Sequence, residues 1–321
     1  MAETTPAPWL ERHQIALYLG ALGVAAVVGW ALPGSSHLEP AIEPVLGLLL
    51  FVTFLGVPFH ALGDAFRDVR FLIAVGILNF LVVPAVVFGL TRFIAADDAL
   101  LIGVLLVLLT PCIDYVIVFA GLAGGASAKL LAAAPLLMLA QIVLLPVYLA
   151  LFVDGGTLSL IDPLPFVRAF LVLIVLPLAA AVLVQLLVRV APSAAVVQRG
   201  MGATMVPLMM ATLAIVVASQ MRGVAERLGT LIVLVPIYLA FAVILVVLGL
   251  LAGRFAGLAA AEARALTFSG VTRNSLVVLP LALALPAPLE LAPLVVVTQT
   301  LVELFVMVAL VRVLPRLIPV R

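Results

Sequence analysis

The chain is a succession of uninterrupted apolar runs, each about as long as a helix that crosses a bilayer, and this repetition leaves few folds open. A membrane helix needs about 20 consecutive apolar residues to span the hydrocarbon layer. About ten such runs occur, roughly 14–32, 42–62, 70–93, 99–123, 129–152, 164–188, 202–220, 229–252, 264–285 and 289–312, separated by short polar or Gly/Pro punctuation. A transmembrane barrel would alternate apolar and polar residues at period two, which these runs do not. Composition points the same way: 66% of the 321 residues are hydrophobic and 10% are charged, against about 25% charged in soluble domains. The expected fold is an all-α membrane protein of ten transmembrane helices. Ten spans of about 22 residues use about 220 residues, so no soluble catalytic module of the usual ~100 residues or more is expected. No His-Glu-x-x-His, no Gly-x-Ser-x-Gly and no paired aspartates occur at membrane depth, so an enzyme is not expected either. The polar stretch Glu3 to Gln14 precedes a run too long for a signal-peptide core, and it reads as a retained first span.

Orientation follows from the loop cations. With the N-terminus inside, the cytoplasmic side holds eleven: Arg12, Arg67, Arg70, Lys129, Arg189, Arg199, Arg254, Arg264, Arg312, Arg316 and Arg321. The other side holds four, Arg92, Arg168, Arg222 and Arg227. Both termini are therefore expected in the cytoplasm, with the protein in the plasma (inner) membrane. With 16 basic and 15 acidic residues, no basic face for nucleic acid is available. The single cysteine, Cys112, excludes an intramolecular disulfide and a multi-cysteine zinc site, and no cofactor is expected. A homodimer through the first and sixth spans is left open.

Ten helices divide into five and five, and an odd number per half inserts the second half upside down, the geometry of an inverted repeat. The expected repeats are 1–153 and 154–321. Ala134-Pro135-Leu136 with Gln141 recurs as Ala292-Pro293-Leu294 with Gln299, an offset of 158 residues that also carries the fourth span onto the ninth.

Charge at the bilayer centre is costly and usually faces a cavity or a partner. Two charges occupy corresponding places. The fourth span contains Thr110-Pro111-Cys112-Ile113-Asp114, and the ninth Ser269-Gly270-Val271-Thr272-Arg273-Asn274-Ser275. Pro111 lacks an amide hydrogen and Gly270 weakens a helix, so both spans are expected to break at mid-membrane. Broken helices in equivalent positions of two halves are the usual makings of a substrate and ion site. Asp114 and Arg273 are expected to pair across the crossing, either for function or only for stability. Cys112 is a candidate ligand or a buried small hydrophobe. Gln141 and Gln299 either bond to neighbouring helices or line the cavity. Glu303 lies one turn after Gln299 on the same face and is a candidate proton carrier. Asn79 and Thr53 read as contacts between helices, and His60 as an interfacial residue.

These residues resemble a known superfamily. Pro111-Cys112-Ile113, with Val116, Val118, Phe119, Leu122 and Gly125, resembles the cysteine-bearing fourth helix of the arsenical-resistance permeases, which export arsenite, and Leu78-Asn79-Phe80 with Pro84 is similar to their third. Gly270 to Ser275 is similar to the glycine, arginine or glutamine, asparagine signature of the bile acid:sodium symporters. The resemblance implies one fold, ten helices in two inverted five-helix repeats with the fourth and ninth broken and crossing. The chain departs from the pattern where the sodium symporters carry a glutamate: Ser269 stands there, which weakens a sodium site of that kind. The permeases' acidic residue after the asparagine is replaced by Ser275, Leu276 and Val277, whereas Asp114 is a charge their fourth-helix pattern lacks.

The first reading is a secondary transporter that exports arsenite or a related metalloid by proton-coupled antiport. Cys112 offers sulfur to the metalloid and Asp114 carries the proton. Substrate contacts are expected from Cys112, Asp114, Arg273, Asn274 and Ser275. Ion coupling is expected from Asp114, Thr110, Ser269, Thr272, Gln141, Gln299 and Glu303. The alternative is a sodium-coupled symporter importing a small organic anion, in which Arg273 grips the substrate and Asn274, Ser275, Gln141 and Gln299 supply oxygens to the ion. A membrane sensor that transports nothing is the third.

Overall fold

Within lipid the backbone must satisfy its own hydrogen bonds, and a chain this apolar does so by forming helices. The computed structural model describes residues 6–32, 34–56, 68–158, 164, 167–168, 171–188, 200–202 and 204–319. His60, and the loop cations Arg67, Arg189, Arg199 and Arg321, lie outside them. The principal helices are α1 (Pro6–Ala31), α2 (Ile42–Leu55), α3 (Val69–Ile77), α4 (Val83–Thr91), α5 (Asp98–Leu108), α6 (Tyr115–Leu122), α7 (Ser127–Phe152), α8 (Leu176–Val188), α9 (Met205–Glu226), α10 (Leu234–Phe255), α11 (Ala260–Val271), α12 (Ser275–Leu283) and α13 (Ala292–Leu317). A π-helical turn, Leu78–Val82, joins α3 to α4.

Among the described residues, eight helical segments are long and apolar enough to cross a membrane: His13–Ala31, Ser35–Leu55, Val69–Ile94, Ser127–Phe152, Leu171–Val188, Met205–Glu226, Leu228–Phe255 and Ala287–Leu317. The runs at 99–123 and 264–285 are not single helices. Each is divided in two, α5 from α6 and α11 from α12, and between them lies an isolated antiparallel bridge from Pro111 to Arg273.

The chain forms two compact units, each drawing on both sides of residue 153. The first comprises Met1–Val57 and Phe166–Leu228. In it α1 runs along α9 and α2 packs on α8. A Cβ at Gly29 would lie 2.5 Å from the Ala218 carbonyl oxygen, so α1 approaches α9 as closely as only small residues permit.

The second unit comprises Pro58–Pro165 and Gly229–Arg321. Here α13 packs against α5, α10 and α12, and α11 lies between α10 and α6. Gly103 of α5 faces α13, where an added Cβ would stand 2.7 Å from Val295 Cβ. Arg264, expected among the loop cations, is instead buried in α11 and donates to the carbonyls of Ala123, Gly124 and Ile318. Its fork satisfies orphan carbonyls at the end of α6 and at the end of α13.

The same unit ties three helix starts to one cation. Asp68 caps α3 by accepting from the Phe71 amide at 3.2 Å. Lys129, in the first turn of α7, donates to both Asp68 and Glu262, the latter in the first turn of α11. The bond from Lys129 holds the Asp68 carboxyl below its usual value of 3.8, against an opposing effect of burial. A depressed folded-state value stabilises above the unfolded one and is lost as pH falls through the folded value. Lys129 is 36% exposed, so the link is worth at most about 1 kcal/mol. The melting-temperature gap between the native protein and K129M, measured from neutral pH downwards, should therefore narrow below the usual value of 3.8; a gap unchanged by acid would count against the assignment.

Candidate functional site

Apart from Thr53, which lies in the first unit, the midplane polar residues singled out by sequence belong to the second unit, and most gather where the divided helices cross. The Cys112 amide donates to the Thr272 carbonyl at 3.3 Å, and the Asn274 amide donates to the Thr110 carbonyl at 2.9 Å. The two bonds exchange under a shift of 162 residues. The shift holds in detail, since Thr110 and Thr272 each turn a hydroxyl back to the carbonyl four residues earlier, Leu106 and Phe268, at 2.9 and 2.8 Å. The offset of 158 drawn from the two Ala-Pro-Leu triplets is thus not the spacing at the crossing. Pro135 lies inside α7, whereas Pro293 starts α13.

Local chemistry accounts for the breaks. Pro111 has no amide to continue α5. Asp114 and Asn274 then act as N-caps, a role short polar side chains favour: Asp114 Oδ1 accepts from the Tyr115 amide at 2.6 Å and Asn274 Oδ1 from the Val277 amide at 3.3 Å. Two helix C-termini, of α5 and α11, and two N-termini, of α6 and α12, therefore meet within the buried crossing, the former negative and the latter positive in their dipoles.

The expected ion pair between Asp114 and Arg273 is absent among the described residues. The Asp114 carboxylate receives the Cys112 thiol at 2.8 Å as well as the Tyr115 amide. Cys112 is therefore a buried hydrogen-bond donor, not an exposed sulfur. The Arg273 guanidinium turns to oxygens: Asn79 Oδ1 at 2.8 Å, the Ser269 and Gly270 carbonyls at 2.5 and 2.7 Å, and the Leu108 carbonyl at 3.4 Å. The reason is the α11 C-terminus, whose carbonyls have no helical amide and lie within reach of the next side chain. These bonds turn the terminal nitrogens toward backbone and side-chain oxygens, while Nε has no hydrogen-bond partner.

The counter-charge is Glu303. Its carboxylate accepts the Tyr115 hydroxyl at 2.5 Å, the Arg273 amide at 2.9 Å and the Gln299 side-chain amide. Tyr115 Oη also lies 3.0 Å from the Arg273 carbonyl. Ser269 Oγ accepts from Asn79 at 2.9 Å, and the Thr272 hydroxyl lies 3.0 Å from Met307 Sδ. Asp114, Arg273, Asn274 and Ser269 have no measurable exposure.

Six buried side-chain atoms among the described residues have no hydrogen-bond partner: Asp114 Oδ2, Gln141 Oε1, Arg273 Nε, Asn274 Nδ2, Ser275 Oγ and Gln299 Oε1. Buried polar atoms are normally paired, and four of these six are oxygens. Gln141, on α7, makes no hydrogen bond to the crossing, so its place in the site rests on its unpaired oxygen alone. Sequence reasoning missed Tyr115 and Phe241, and it gave Asn79 only as a contact between helices, which its bond to Ser269 makes it. Asn79 is the second residue of the π-helical turn that joins α3 to α4, a register change frequent at functional sites, and the Phe241 ring lies 5.6 Å from the Arg273 guanidinium.

A family model described as the Sodium Bile acid symporter family matches residues 43–227, more than half of the chain. The chain belongs to this family. Its members are transporters rather than enzymes, and with its apolar helices this family member is an integral membrane protein. The matched interval contains Asn79, Cys112, Asp114, Tyr115 and Gln141 and ends before α11. No curated protein is similar enough to this family member to count as a relative.

Proposed function

We propose that the chain is a secondary active transporter in which one monovalent cation, sodium, drives uptake of a small organic anion. The observation that carries this reading is the charge of the buried crossing: two carboxylates, Asp114 and Glu303, accompany one guanidinium, Arg273. With all three ionised the site is one negative charge in excess, an expensive state at membrane depth that one cation relieves. The unpaired oxygens of Asp114, Ser275 and Gln299 are hard donors of the kind such a cation takes. Family membership supports the coupling ion. Thr110, Thr272 and Asn274 act through the backbone of the crossing, and Ser269 acts through Asn79.

The architecture that goes with this function is ten membrane passages in two inverted repeats, 1–153 and 154–321. The exchange of Cys112 with Asn274 and of Thr110 with Thr272 at the crossing supports it. The cation bias of the loops supports cytoplasmic termini in a plasma membrane. Arsenite export by proton antiport is the second reading. It is favoured by the position of Cys112, a lone thiol whose own amide helps to form the crossing and whose sulfur is bonded to Asp114.

Transport in proteoliposomes separates the two. A tenfold inward sodium gradient stores about 1.4 kcal/mol and should concentrate a labelled bile acid or smaller carboxylate about tenfold at one-to-one coupling. Arsenite movement that follows an imposed proton gradient, with no carboxylate accumulation in sodium, would establish the second reading in place of the first.

A further inference from the structure

The bonds of Arg273 are unusual for an arginine. A guanidinium recognises partners through a planar fork, with five N–H groups spread over three nitrogens. Here Nε has no partner, and Nη1 reaches only the Leu108 carbonyl at 3.4 Å. Nη2, which carries two hydrogens, has three oxygens within 2.8 Å: Asn79 Oδ1 and the Ser269 and Gly270 carbonyls. Oxygens that outnumber the hydrogens crowd around a centre of charge rather than along directed bonds. Two of the three carbonyls among its four oxygens come from the last turn of α11 and the third is the last carbonyl of α5, so the negative ends of two helix dipoles converge there. The face of Phe241 adds a further preference for positive charge.

Everything around the group selects for a cation, and nothing selects for the guanidinium shape. We propose that Arg273 is a resident cation, a tethered charge filling an oxygen cage that would otherwise take a monovalent metal ion. The helix ends, whose carbonyls would repel one another if left bare, are neutralised in every state of the protein by a charge that cannot leave. Arg273 is thus a positioning residue that fixes how many diffusible cations the crossing takes, whichever solute is carried.

Replacing Arg273 with glutamine leaves the cage oxygens in place and adds a neutral amide oxygen, so a sodium ion should enter. With purified protein, R273Q should bind one more radioactive sodium ion per chain than the native protein. Sodium chloride in place of choline chloride at equal ionic strength should also raise its melting temperature by about 3 °C or more beyond the native response, as for a ligand held at about ten times its dissociation constant. Recovery of R273Q only in sodium would support the proposal equally. A folded R273Q with the native sodium count overturns it. Should R273Q be lost in both salts, R273K decides: a lysine keeps a compact charge and abandons the fork, so R273K recovered with the native sodium count sustains the proposal. Loss of R273K as well means that guanidinium geometry is what matters, and overturns it. Since the readout is bound sodium, absence of sodium-driven uptake would count against the proposed function and leave this result untouched.

Discussion

Asp114→Asn should abolish cation-driven transport and leave the protein folded. Asparagine caps helices about as well as aspartate, so the bond to the Tyr115 amide that starts α6 survives, and the remaining side-chain oxygen can still receive the Cys112 thiol. What disappears is the excess negative charge, because Glu303 alone then balances Arg273. A hydrogen bond or contact to a charged group is worth about 1.5–3 kcal/mol, so affinity for the coupling cation should fall about 10- to 150-fold. Sodium-dependent uptake in proteoliposomes would be lost at sodium concentrations that saturate the native protein. Full uptake by D114N with an unshifted sodium dependence would remove Asp114 from the coupling site.

The second large effect concerns stability. Glu303→Ala should cost about 3–5 kcal/mol, the range for breaking a buried charge arrangement by removing one partner. The Arg273 amide and the Gln299 side chain lose their acceptor, the Tyr115 hydroxyl is left with the Arg273 carbonyl alone, and the Arg273 guanidinium loses its counter-charge. Glu303→Gln retains an acceptor for Tyr115 and should lie between the native protein and the alanine variant. Thermal unfolding of the three proteins in one detergent tests the order, and an alanine variant as stable as the native protein would show that Glu303 does not hold the crossing together.

The location of the site was legible because charge is scarce in this chain. Asp114 and Arg273 stand out near the middle of runs whose only other charge, Arg264, is at the very start of the ninth, and Pro111 marks where α5 must stop. Their relationship was not legible. Pairing opposite charges by proximity ignores the bare carbonyls at the end of α11, which are nearer to Arg273 than any carboxylate. Asn79 was hidden for another reason: a π-helical turn shifts register without a residue type that announces it, so a side chain read as a contact between helices is aimed at the crossing. The repeat spacing misled because two matching Ala-Pro-Leu triplets occupy different depths of their helices, while the spacing that matters is carried by backbone bonds and two threonine hydroxyls. Arg264 stands at the start of the ninth run, where a loop cation is expected, but its carbonyl partners draw it inside.

The two interruptions at the crossing are unequal in length. On the second strand Asn274 performs both tasks, its amide closing the crossing and its side chain capping α12. On the first strand the tasks fall to different residues, Cys112 for the crossing and Asp114 for the cap, with Ile113 between them. The first strand therefore spans six residues between its helices where the second spans three. Asp114 is separated from the backbone knot by Ile113 and tied to it through the Cys112 thiol, whereas Asn274 is itself part of the knot. The scaffold is symmetric at the knot and divides crossing from capping on one side only, and that side is the one that carries the carboxylate.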